Sequence, residues 1–96
     1  MEVNYLDEIA GRIREQVPES KLPHAETSAL FRIYAVLLLA KGATVSLSDV
    51  HNAWVAWTCG RNPEHSALIP FSELSEDVAS ADLPYVQAIL KVVAGG

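Results

Sequence analysis

The sequence predicts an all-α fold, a compact single-domain bundle of four to five helices with one irregular loop at about residues 61–71. Three observations predict it. Apolar side chains recur at helical rather than strand spacing through most of the chain. Residues that open and close helices bracket those stretches. The 96 residues, 50% apolar and 20% charged, suffice for one hydrophobic core and are too few for two. Residues 1–96 are therefore read as one helical domain.

The first helix is expected over Asn4 to Val17, with Leu6, Ile9, Ile13 and Val17 on one face and Asp7, Glu8, Arg12, Arg14 and Glu15 on the others. Asn4 is its N-cap and Pro18 stops it. Pro18 to Ala25, with two prolines and little apolar content, reads as a connecting loop. From Thr27 or Ser28 to Lys41 the chain is apolar almost all round, broken mainly by Arg32, and a helix of that kind must be central. It is the expected hub, packed by the first, third and last helices. A guanidinium there needs a partner, and Asp7, Glu8 and Glu26 are the acidic candidates. Gly42 is the expected left-handed terminator.

The third helix opens at Ser46, which forms a capping-box-like pair with Asp49, carries an inward stripe of Leu47, Val50, Trp54 and Trp57, and ends at Gly60. Arg61 to Phe71 is the least regular stretch. Asn62-Pro63 marks a turn and Pro70 forbids a helix through Ile69, so a loop with an extended Ala67-Leu68-Ile69 is expected. Ser75 can cap a short turn through Ala79. Asp82, followed by Leu83 and Pro84, starts a last helix with Leu83, Val86, Ile89, Leu90 and Val93 inward and Gly95 and Gly96 as a frayed end.

The formal charge of −5 and the scattered positions of the seven Lys and Arg residues argue against a nucleic-acid polymer as partner. Cys59 is the single cysteine, which excludes an intramolecular disulfide, and no signal-peptide-like stretch precedes the first helix, so a cytoplasmic location is expected. Ile33 to Ala40, the most apolar run, falls far short of the roughly 20 residues a membrane span needs, so no membrane partner is expected.

The chemistry-bearing residues gather around the third helix and the loop after it. Trp54 and Trp57 lie three apart on one helical face; they fill the core, or their indoles stack on a flat ligand. His51 and Asn52 share that helix, and His65 can fold back across the loop to give a polar rim beside an aromatic wall. The other reading of His51 is a structural histidine bonded to a loop carbonyl. Arg61 stands at the expected pocket mouth. Cys59 with His51 and His65 fits no zinc spacing and reads better as a small buried hydrophobe; no metal and no cofactor is expected. The acidic run Glu73, Glu76, Asp77 and Asp82 reads as helix capping and solvated surface.

His51-Asn52-Ala53-Trp54, then His65 with Leu68-Ile69-Pro70-Phe71, then Glu73-Leu74, Asp82 and a terminal amphipathic helix together resemble the ryanodine-receptor repeat domain over residues 46–94. The whole chain also resembles small proteins of unknown function in actinobacteria and their phages. The resemblance implies a compact helical module without catalysis, of a kind suspected of sensing small ligands such as nucleotides. Two functional readings follow. The first is a non-enzymatic module in which His51, Asn52, Trp54, Trp57, Arg61 and His65 surround a small anionic or nucleotide-like ligand. The second is a protein-interaction module, a homodimer or larger homo-oligomer that covers excess apolar surface. An enzyme is disfavoured, because no motif supplies a nucleophile with its base or a metal set.

Overall fold

The structure, a computed structural model, describes residues 4–22 and 26–95. Its described residues form four long helices and one short one: α1 (Tyr5–Gln16), α2 (Ser28–Lys41), α3 (Leu47–Thr58), α4 (Glu76–Ser80) and α5 (Leu83–Val93). Tight 3-10 turns lie at Glu19–Lys21, Gly42–Thr44 and Phe71–Glu73. The all-α bundle is thus the architecture observed.

Local chemistry accounts for the helix ends. Asn4 and Asp7 form a reciprocal capping box at the start of α1, and Ser46 and Asp49 form another at the start of α3. Ser75 caps α4 through Val78 N. Val17 adopts extended backbone ahead of Pro18, where the ring would clash with a helical conformation, so α1 stops. Gly42 has the expected positive φ of 54°, but its ψ of −131° is not the left-handed helical value; it turns the chain into the Gly42–Thr44 turn, in a region open to glycine alone. The expected loop from Pro18 to Ala25 holds the Glu19–Lys21 turn; residues 23–25, like Gly96 of the expected frayed end, lie outside the described residues.

Ile13, Leu30, Phe31, Tyr34, Val50 and Ile89 are the large side chains of a core drawn from α1, α2, α3 and α5. The hub differs from expectation in one respect. α2 packs broadly on α1 and α3, but α5 leans chiefly on α1 and touches α2 much less. The reason is the aromatic wedge between α2 and α5: the Tyr85 ring lies 5.7 Å from Tyr34 and 6.3 Å from Phe31, which holds the two backbones apart. The Tyr85 hydroxyl donates to Lys21 O at 2.8 Å and fixes the ring there.

The inward face of α5 is accordingly rotated. Val86, Ala88 and Ile89 are buried, whereas Leu83 and Val93 remain 43% and 37% exposed. Periodicity had placed those two inward; the demand of Tyr85 for a place between the helices turns the face toward Tyr85, Ala88 and Val92. Arg32 meets Asp7 in an ion pair, which resolves the cation in the apolar helix. Arg14 donates to Thr27 Oγ1 at 3.0 Å and lies over the Phe31 ring, while the Glu26 carboxylate accepts from Ser28 N in the place of a conventional cap. No described helix is long and apolar enough to cross a membrane.

Candidate functional site

The last turn of α3 builds the site. The Thr58 carbonyl accepts from both Arg61 N (2.9 Å) and Asn62 N (2.7 Å), which ends the helix and swings Arg61 back over the ring four residues earlier. Its guanidinium sits 4.6 Å from the Trp57 ring centre, a cation–π contact. The chain then makes short turns. His65 N donates to Asn62 O, Leu68 N to His65 O, and Ala67 N to His65 Nδ1 at 3.0 Å. Ala67 therefore lies in a turn, and the expected extended Ala67-Leu68-Ile69 is not formed, because the His65 ring and carbonyl gather those amides into turns. With Nδ1 accepting, the neutral His65 ring carries its proton on Nε2.

These turns fold His65 edge-on against Trp54, with ring centres 4.9 Å apart and planes at 81°. His51 stacks on Trp54 at 5.8 Å and 25°. Trp54 thus contacts both imidazoles. His51 itself is buried, with Nε2 donating to Ile69 O at 2.7 Å. That bond ties α3 to the end of the loop, and of the two readings of His51 the structural one is realised.

Between α2, the end of α3 and the start of α5 lies a cleft of about 470 Å³. Trp54 and Trp57 pack against the buried core and also line this cleft. Tyr34 and Thr58, nearly inaccessible, lie deepest, and Tyr85 closes the far side. Arg61 and His65 stand on the exposed rim. A smaller cavity of about 220 Å³ adjoins it, with Trp54, His65, Ala81 and Asp82 common to both; His51 lines only the smaller one.

Of the six candidate residues, then, the structure brings Trp54, Trp57, Arg61 and His65 together. It does not bring Asn52. That side chain is exposed beside Asp49 and Ala53, on a shallow groove facing Ile33, Val36 and Leu37 of α2. The cause is helical geometry: residues two apart point to nearly opposite sides, so Asn52 cannot share a face with Trp54. Cys59, expected buried, is exposed, with its thiol directed to Ala56 O at 3.4 Å. Among the described residues, no three His, Cys, Asp or Glu side chains gather where they could hold a metal ion.

Two further residues belong to the cleft. Thr58, which lines the cleft, is 5% exposed, and its buried hydroxyl has no hydrogen-bond partner among the described residues. A hydroxyl removed from water without a partner costs about 1–3 kcal/mol. Its spacing was the available signal, since Thr58 follows Trp54 by four residues and so shares its face. Asp82, expected to cap α5, makes no side-chain cap. Pro84 has no N–H to give, and Asp82's own carbonyl accepts from Tyr85 N (3.0 Å) and Val86 N (3.2 Å), so the carboxylate is left to line the cleft. Burial pushes its pKa up, and His51 partly offsets that. Burial, first, and the nearby Asp82 carboxylate raise the Tyr34 and Tyr85 hydroxyls as well.

The arrangement is an aromatic-walled cleft lined by an exposed guanidinium, a partly buried carboxylate and a threonine whose buried hydroxyl is unsatisfied. Residues 4–94 match a family model described as Domain of unknown function (DUF7701). No curated protein and no solved structure matches the chain.

Proposed function

We propose that this chain, which belongs to the DUF7701 family, captures a small flat ligand in the cleft between α2, α3 and α5 and acts by binding, without turnover. The observation that carries this reading is the buried, unpartnered Thr58 hydroxyl at the cleft. Buried polar groups are almost always satisfied, and a group left open inside a concave aromatic site is satisfied by what the site binds. Trp54 and Trp57 give the cleft aromatic walls, and Arg61, seated over the Trp57 ring, offers a cationic end for an anionic substituent, which favours a nucleotide-like molecule. The resemblance of residues 46–94 to the ryanodine-receptor repeat domain accords with such a module. Cys59, the one thiol, does not line the cleft, which favours capture over covalent chemistry.

The test is a thermal-shift panel of nucleotides, simple anions and small aromatic amines on the full chain, with Arg61→Met and His65→Ala in parallel. A ligand at a hundred times its dissociation constant adds about 2.7 kcal/mol, which moves the melting point of so small a domain by several degrees. A shift that folded variants lose supports capture; no shift across the panel contradicts it.

A second reading rests on a different surface. Val36 and Leu39 of α2 are 51% and 56% exposed, and with Ile33 and Leu37 they leave an apolar strip uncovered by the rest of the chain. A second copy of the chain could cover it. Mass determination in solution, with Leu39→Glu as the control, decides between a dimer through this strip and a monomer.

A further inference from the structure

A carboxylate lining the cleft and a guanidinium on its exposed rim ask for different things of a ligand. The rim cation accounts for an anionic substituent. Asp82 does the reverse: it stands partly buried with no hydrogen-bond donor among the described residues, on a chain of net charge −5. A plain anion entering the cleft would meet an unpaired negative charge and would raise its desolvation further. Asp82 is also not held there by a structural duty, because Pro84 and the carbonyl of Asp82 leave no amide for its side chain to cap. Asp82 lines the cleft together with Trp54 and Tyr85, so a flat ring lodged against the aromatic walls can turn its edge to the carboxylate.

We infer, resting on the capture reading above, that Asp82 sets the ligand class by accepting two adjacent N–H donors from the edge of a flat ring. The shared chemistry is the paired-donor edge of an aryl amidine or of a guanine-type base, the geometry that a carboxylate matches with two parallel hydrogen bonds. The Thr58 hydroxyl, at the depth of the same cleft, takes a further polar atom of that ring. Rings whose edge lacks one of the two donors leave a carboxylate oxygen buried and unpaired, and they are discriminated against for that reason.

Trp54 and Trp57 are the only tryptophans, and both line the cleft, so intrinsic fluorescence of the full chain reads occupancy directly. Titrations with guanosine, inosine and adenosine monophosphate and with benzamidine separate the two sources of the paired-donor edge. Guanosine monophosphate is expected to bind about 10-fold to 100-fold tighter than inosine monophosphate, which lacks the exocyclic amine. Asp82→Asn abolishes that preference and the benzamidine response but leaves inosine monophosphate binding in place; Glu76→Gln, on exposed α4, changes neither. Equal binding of the three nucleotides, or a preference that survives Asp82→Asn, overturns the role of Asp82 while capture stands. If none of the four compounds perturbs the fluorescence, both the role of Asp82 and capture of this ligand class fail.

Discussion

Two faces of α2 are built differently. Where its first turns meet α1, the polar groups named here have partners: Arg32 pairs with Asp7, Arg14 donates to Thr27, and Glu26 accepts from Ser28 N. On the side of α2 that faces the end of α3 and the start of α5, Thr58 Oγ1 is unsatisfied and Asp82 has no donor. The first region is organised to hold the fold. The second keeps unspent bonding capacity in a concave aromatic space, at some expense of stability, and it is there that we propose the ligand binds.

That contrast can be broken most severely in the first region. Ile13 is fully buried where α1 joins the core, and Ile13→Ala is expected to cost about 2–5 kcal/mol in a denaturant titration while leaving the fluorescence of Trp54 and Trp57 native-like before unfolding. Gly42→Ala is next, at about 1–3 kcal/mol, because an alanine is strained at φ 54° and ψ −131° even though open space surrounds the position. A loss well below that range would show that the Gly42–Thr44 turn relaxes freely.

Substitutions in the cleft should act in the opposite sense. Thr58→Val keeps the side-chain shape and removes the orphan hydroxyl, so the free protein should gain about 1 kcal/mol by thermal denaturation. Asp82→Asn should give a smaller gain that depends on pH. Burial raises the Asp82 carboxyl in the folded chain above its unfolded value near 3.8, so its charged form opposes folding. The gain is therefore absent below the unfolded value and grows as pH rises through the folded one. Asp7 behaves inversely. The hydrogen bond from Arg32, then that from Asn4 N, holds its pKa down, so the stability it contributes is present above the unfolded value and is lost as pH falls through the folded one. Melting curves of Asp82→Asn and Asp7→Asn from about pH 3 to about pH 7, across the carboxylate range, should diverge in sign.

Much of the fold was legible because its determinants are local. Asn4 with Asp7, Ser46 with Asp49, Ser75, Pro18 and Gly42 act within a few residues of themselves, and each helix end falls where they place it. On α5 the inward places of Val86, Ile89 and Leu90 were legible; the exposure of Leu83 and Val93 was not, because it depends on Tyr85 reaching the Phe31 and Tyr34 rings and Lys21 O across the bundle. The site divides along the same line. Trp54, Trp57, Arg61 and His65 were recognisable as an aromatic and basic group near one turn. Asn52 was misplaced against helical geometry that the sequence already contained, and Thr58 was passed over although its spacing from Trp54 pointed to it. Asp82 reads as a cap in one dimension; only the loss of donors at Pro84 and the folding of α5 beside α3 turn it toward the cleft.

The most direct test of the account compares wild-type and Thr58→Val protein by melting temperature, first without ligand and then with the nucleotide that shifts the wild type most. The account predicts that the variant melts higher alone and gains less from the ligand, because the hydroxyl is a burden to the free fold and a bond to the bound one. A variant that melts lower alone, or that gains as much from the ligand as the wild type, would contradict it.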